Sequence, residues 1–211
     1  PSACAPGLRP PATCVTCSPR AGRILIVRGL FTVFSLGLDE LGSKLQQRGF
    51  HVDVVPTSIG PLEALKIRDD YLRNPSMEPI VIIGHSMGGR ECFFLSRMLQ
   101  DYDVPVKLIV ILDGNSQSTV PANVARCVNL YTTNQLGIFH GSPVRGEACS
   151  SEVINIDVTK VLRPHWVAGI DHFNIHASEW IHGIVINEVL WACPPSQYGD
   201  VASTTTVDAG A

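Results

Sequence analysis

Arg23-Ile24-Leu25-Ile26-Val27 is a nearly unbroken apolar run, as expected of a short strand buried on both faces. Leu38, Leu41 and Leu45 then recur at helical spacing, and Gly49 is a fitting C-terminal stop. Alternation from His51 to Val55 predicts a second strand. Leu62, Leu65 and Leu72 predict a helix over Pro61 to Arg73, with Pro61 in its first turn. Pro79 to Ile83 reads as a third strand, and Gly88 to Gln100 as a helix carrying Phe93, Phe94, Met98 and Leu99. Val106 to Leu112, Val128 to Thr132 and Val153 to Val158 read as the fourth to sixth strands. Ile175 to Leu190 is the last predicted helix. Such alternation predicts an α/β fold: a mostly parallel sheet of about six strands, with helices on both faces. Ligands bind such sheets at the carboxyl ends of the strands.

The pattern stops at both ends. Residues 1–22 are rich in Pro, Ala, Cys and Gly and read as an irregular leader; residues 194–211 read as a flexible tail. The expected domain is therefore 23–193. Hydrophobic residues make up 45% of the 211 and charged residues 17%, which argues against disorder and against a coiled coil. A net charge of −3 lacks the basic footprint of a nucleic-acid binder. Apolar runs such as Leu108–Leu112 fall far short of the roughly 18 residues of a membrane span. Of seven cysteines, Cys92 and Cys127 sit among apolar residues and read as core thiols. Cys14-Val15-Thr16-Cys17 has redox or metal spacing, but no second such pair follows. The odd cysteine count and a first residue other than Met leave the compartment open, whether cytoplasmic or exported.

The chemistry concentrates where the third strand meets the next helix. Pro79–Ile83 runs directly into Gly84-His85-Ser86-Met87-Gly88-Gly89, and a helix pattern follows. This is G-x-S-x-G between a strand and a helix, the context in which a sharp, strained turn exposes a serine oxygen. Gly84 and Gly88 give the turn room. The helix dipole favours developing negative charge there, and the backbone N–H of Met87 is placed to bond an oxyanion.

On these residues, over roughly 23–192, the chain resembles the α/β-hydrolase family, especially small lidless bacterial lipases, esterases and thioesterase-like proteins. The resemblance implies a minimal fold without a large cap. It implies a second oxyanion donor after an early strand, here the N–H of Leu30 or Phe31 in Val27-Arg28-Gly29-Leu30-Phe31. Arg28 stands where His is common, and it either braces the loop or binds a substrate carboxylate. The family's late histidine falls in Gly169-Ile170-Asp171-His172-Phe173, so His172 is the expected general base, with His176 and then His165 behind it. His85 reads as a brace of the turn, and His51 and His182 as structural. The family's acid most often follows the penultimate strand, where Asn134 stands. Some members place it one strand earlier, which points to Asp113 in Leu112-Asp113-Gly114; Asp157 is next.

The expected reaction is hydrolysis of a carboxylic ester through an acyl-Ser86 intermediate. A lactone of the acyl-homoserine type or a thioester is the alternative substrate, and a non-catalytic hydrolase-fold binding protein is the different-class alternative. The segment from Asn134 to Ser151 is either a surface loop or a wall of an acyl pocket, with Leu136, Ile138 and Phe139 lining it; Phe31 and Phe34 would line the other side with Leu30. No metal cluster, P-loop or dinucleotide fingerprint is evident, so no cofactor is expected. The expected partner is a small molecule, and the oligomeric state stays open.

Overall fold

The computed structural model describes residues 20–29, 36–75, 78–114, 119–133, 140–149, 151–161, 164, 167 and 169–195. The expected leader and tail lie almost wholly outside the described residues, as do Leu30, Phe31, Phe34, Asn134, Leu136, Ile138, Phe139 and His165.

Strand β1 (Arg23–Val27) is buried throughout and is followed by helix α1 (Gly37–Gln46), strand β2 (His51–Val55) and helix α2 (Gly60–Arg73). Next come β3 (Ile80–His85), α3 (Met87–Gln100) and β4 (Leu108–Leu112). Short β5 (Thr119–Val120), β6 (Arg126–Tyr131), short β7 (Arg145–Gly146), β8 (Glu152–Asp157) and α4 (Glu179–Ala192) complete the order. Six strands form one parallel sheet, in the order β2-β1-β3-β4-β6-β8. The fold class therefore matches the pattern of the sequence. The two short strands pair with each other in a separate parallel ribbon.

The period of two in each strand divides the core. Ile24, Ile26, Val81, Ile83, Val110, Val128 and Leu130 pack with Leu38, Leu41 and Leu45 of α1 and Val185 and Val189 of α4 on one face. Leu25, Val27, Ile80, Ile82, Ile109, Ile111 and Cys127 pack with Ala64 and Ile67 of α2 and Phe93, Leu95 and Leu99 of α3 on the other. Cys92 and Cys127 are fully buried and unpaired, as read from their apolar neighbours. Burial pushes the Cys127 thiol up to about 12 and Cys92 well above its ordinary value. A wholly buried guanidinium, Arg126, reaches from β6 to Glu188 of α4 at 2.9 Å and 3.0 Å.

The last helix differs from its expected span. A short 3-10 turn, Ile175–Ala177, comes first, Ser178 is extended (ψ 122°), and α4 begins at Glu179. The break frees the carbonyl of His176, which accepts a 2.7 Å hydrogen bond from His182 Nε2. The third strand runs two residues beyond Ile83, through Gly84 and His85. Among the described residues no helix is long and apolar enough to cross a membrane.

The strand order reverses between β1 and β3, because β2 lies to one side of β1 and the later strands lie to the other side of β3. Crevices form at such switch points, beyond the carboxyl ends of the strands. Ser86 directly follows β3 there.

Candidate active site

Ser86 links β3 to α3 with φ 55° and ψ −120°. A non-glycine residue with positive φ is uncommon and strained. Its own N–H donates to Leu112 O at 3.0 Å, which ties the turn to β4. The glycines leave no room for substitution: a Cβ on Gly84 would lie 2.3 Å from Gly88 O, and one on Gly88 would lie 2.2 Å from Val27 O. Met87 is the first residue of α3. As the first helical residue its N–H has no intrahelical acceptor, whereas Gly89 N already donates to Ser86 O at 3.0 Å.

Asp113 is the first residue beyond β4 and is completely buried, with φ 51°. Its Oδ1 accepts from Thr132 N at 2.7 Å and from Gly141 N at 2.8 Å. Thr132 Oγ1 lies 3.1 Å from both carboxylate oxygens. Oδ2 is 2.7 Å from His172 Nδ1. A carboxylate only accepts, so His172 Nδ1 donates; in the neutral imidazole this tautomer carries its lone pair on Nε2.

His172, 5% exposed, sits in a loop that bonds to itself. Asp171 Oδ1 accepts from Phe173 N at 2.8 Å and Asn174 N at 3.1 Å, while Asn174 Nδ2 donates to Gly169 O at 3.0 Å. Asp171 is thus turned into its own loop, away from the neighbouring imidazole. His85, on the other side of the peptide bond from Ser86, has its Nε2 2.9 Å from His172 O, and the two rings lie 5.1 Å apart. The structure therefore brings Ser86, His172 and Asp113 to one end of the sheet, with His85 between the elbow and the histidine loop.

The other titratable candidates are engaged elsewhere. Asp157 accepts from Thr133 Oγ1 at 2.6 Å, Thr159 N at 3.0 Å and Lys160 Nζ at 2.7 Å. Burial raises its pKa, and these donors outweigh that to hold it below the ordinary value. Burial pushes His85 down to about 3, with the nearby His176 adding to the effect. His176 and His182 are also lowered, chiefly by burial. Arg28 is paired with Asp39 of α1 through both carboxylate oxygens, so it braces the loop after β1. The elbow helix packs against the end of β1 at Gly88, where an added Cβ would lie 2.2 Å from Val27 O and 2.8 Å from Arg28 O.

Among the described residues one cluster could ligate a metal: Glu40, Glu179 and His182 present atoms within 4.8 Å of one another. Lys44 Nζ already lies 3.0 Å from Glu40, 2.5 Å from Glu179 and 3.0 Å from His182 Nδ1. The ammonium fills the place a cation would take.

The parallel sheet, its switch point and the strained serine turn between β3 and α3 decide the architecture. The arrangement fits the fold that the resemblance to α/β hydrolases implies. No family model matches the chain, and no curated protein matches it. Among solved structures it is similar to the NocB thioesterase domain from the nocardicin cluster, at 12% identity and TM-score 0.49, over 82% of this chain and 94% of that one. It is similar to the Vlm2 thioesterase domain at 14% identity and TM-score 0.42, over 82% and 93%. It is also similar to a protein described as a hydrolase of the α/β superfamily from Xanthomonas campestris pv. campestris, at 12% identity and TM-score 0.36, over 64% and 86%.

Sequence reasoning missed several residues around this site. Thr132, through its amide and hydroxyl, and the Gly141 amide hold Asp113; neither lies near it in the chain, so no local pattern marks them. A groove of about 370 Å³ opens beside Met87, lined by Thr57, Arg90, Glu91, Phe94 and Arg97 among others. Met87 and Phe94 are 45% and 51% exposed there. The signal was available: Met87, Arg90 or Glu91, Phe94 and Arg97 follow helical spacing on one face of α3.

Proposed function

We propose that the chain is a serine hydrolase that cleaves carboxylic esters through an acyl-Ser86 intermediate. The observation that carries this reading is a strained Ser86 elbow set against a buried His172–Asp113 pair with a 2.7 Å bond. In this mechanism Ser86 Oγ attacks the ester carbonyl carbon while its proton passes to His172 Nε2. Asp113 keeps the imidazole oriented and stabilises the imidazolium that forms. The N–H of Met87 receives the developing oxyanion, with the N–H of Leu30 or Phe31 as second donor. Collapse breaks the C–O bond, and the imidazolium returns its proton to the leaving alkoxide. Water then repeats the sequence on the acyl-enzyme, releasing the acid and restoring Ser86.

The same steps open a lactone or a thioester, since each presents an acyl carbonyl with a leaving group. The test is hydrolysis of short and medium p-nitrophenyl esters, an acyl thioester and an acyl-homoserine lactone by wild type and Ser86→Ala. Fluorophosphonate labelling of Ser86 is measured in parallel. Turnover that is lost in Ser86→Ala, with ester preferred, is the expected result. Preference for thioester or lactone would replace the ester assignment. A folded wild type with no turnover and no labelling would favour a binding protein instead.

A further inference from the structure

We infer that His85 is a positioning residue for the proposed base: its imidazole donates Nε2–H to the carbonyl of His172 and ties the histidine loop to the nucleophile's own turn. This rests on the acyl-serine reading of the site. Two geometric observations carry it, a long-range contact and its burial. The contact is 2.9 Å long and joins residues 87 positions apart in the chain. His85 is only 2% exposed, so water does not compete for the bond. A carbonyl can only accept, so the contact requires the proton on Nε2. Burial holds the ring neutral, with its pKa pushed down to about 3, which keeps a charge away from the imidazolium that His172 must become.

The geometry gives this bond a purpose that a packed apolar residue would not serve. Asp113 holds the His172 ring at Nδ1, from the end of β4. One such tether fixes one atom and leaves the loop free to swing about it. His85 fixes the main chain of the same residue from the end of β3, the strand that carries Ser86. The two tethers come from paired positions: His85 is opposite Leu112, the residue before Asp113. His172 is thereby held against the strands that bear both the nucleophile and the acid. The ring of His85 is in turn backed by His176, with centroids 4.8 Å apart. His176 is fixed through its carbonyl, which accepts from His182.

A displacement of about 1 Å in a catalytic group costs on the order of 10²-fold in rate. Removing the bond should therefore slow chemistry without weakening substrate binding. The experiment compares wild type, His85→Leu and His85→Gln, with Ser86→Ala as the zero. Gln keeps an N–H donor near the position of Nε2, and Leu keeps only bulk. His85→Leu should lower kcat on a p-nitrophenyl ester by about 10- to 100-fold with KM changed by less than about threefold, and slow phosphonate labelling of Ser86 by a similar factor. His85→Gln should stay within about fivefold of wild type, the scale of one hydrogen bond. A folded His85→Leu that keeps wild-type kcat would overturn the inference. So would a folded His85→Gln that loses as much as His85→Leu, because bulk alone would then explain the loss.

A second measurement does not depend on turnover. Side-chain 15N–1H NMR of wild type should show His85 as the neutral Nε2–H tautomer from pH 5 to 8. A His85 that carries its proton on Nδ1, or titrates in that range, would remove the bond and with it the inference. Should wild type neither turn over nor label while His85 shows the expected tautomer, the failure lies with the acyl-serine reading.

Discussion

Ser86 and Asp113 leave adjacent parallel strands at the same level, one residue beyond the paired couple His85 and Leu112, and both turn through left-handed φ, at 55° and 51°. Neither is a glycine, so each turn carries backbone strain on the order of 1–3 kcal/mol. The sheet register sets the spacing between proposed nucleophile and proposed acid, and His172 meets the acid from the loop before α4. Strand pairing thus stands in for a dedicated scaffold.

Asp113 and Asp157 should separate cleanly on mutation. Asp113→Asn exchanges an acceptor-only group for an amide at the His172 contact, and a wrong tautomer at such a position costs up to about 10⁴ in kcat in a well-studied case. A loss of roughly 10³-fold or more in ester turnover is expected. Asp157→Asn should leave kcat within about twofold and lower stability by about 1 kcal/mol, since its partners are Thr133, Thr159 and Lys160. Kinetics on both variants decide it; the reverse ranking would make Asp157 the acid.

Gly88 and Gly89 should differ despite being neighbours. A Cβ at Gly88 meets the backbone Val27 O at 2.2 Å, whereas one at Gly89 meets the Ile111 Cγ2 methyl at 2.8 Å and the Gly114 Cα at 3.1 Å. Backbone cannot rotate away as a methyl can. Gly88→Ala should lose about 3 kcal/mol or more, and Gly89→Ala about 1–2 kcal/mol. Urea unfolding of the two variants gives the comparison, and equal losses would contradict the packing described here.

Stability should fall as the medium becomes acidic, starting earlier than carboxylate titration alone predicts. His85, His176 and His182 all have pKa values lowered by burial, His85 to about 3. In the unfolded chain each titrates near 6.5. Below that pH the unfolded state binds more protons, so protonation favours unfolding. Each group then contributes a slope of at most about 1.4 kcal/mol per pH unit; above pH 6.5 the contribution is flat. Urea midpoints at pH 7.5, 6 and 5 should decline, and His85→Gln should flatten the decline. Constant midpoints across that range would count against buried neutral histidines.

Arg126 and Glu188 should be costly to separate. Both side chains are 1% exposed, and the pair joins β6 to α4. Removing one partner leaves a buried charge, a loss of about 3–5 kcal/mol. Glu188→Ala should show it in thermal unfolding, with Glu188→Gln milder because it retains an acceptor. A loss under 1 kcal/mol in Glu188→Ala would mean that Glu152, 2.5 Å from Arg126 on the other side, suffices alone.

The strands and Ser86 were legible because their signals are local: continuous apolar runs, and a motif of five consecutive residues. Asp113 was reachable only through the family resemblance, because nothing next to it in the chain names His172 as its partner. His85 read as a brace of the elbow, but its acceptor is a carbonyl far along the chain, which no sequence pattern marks. The start of α4 was misplaced because Ile175, His176 and Ile181 look helical by period. The better signal was Ser178 followed by Glu179, a helix start. Phe94 read with Phe93 as part of one apolar helix, yet neighbours on a helix point about 100° apart. Phe93 is 1% exposed and Phe94 is 51%.

Thr132 N and Gly141 N donate to the same oxygen of Asp113. Two amides nine positions apart are therefore fixed to one buried atom, like two straps on one rivet. Loss of the carboxylate would release both at once, so a change at Asp113 reaches the backbone at Thr132 and at Gly141 together.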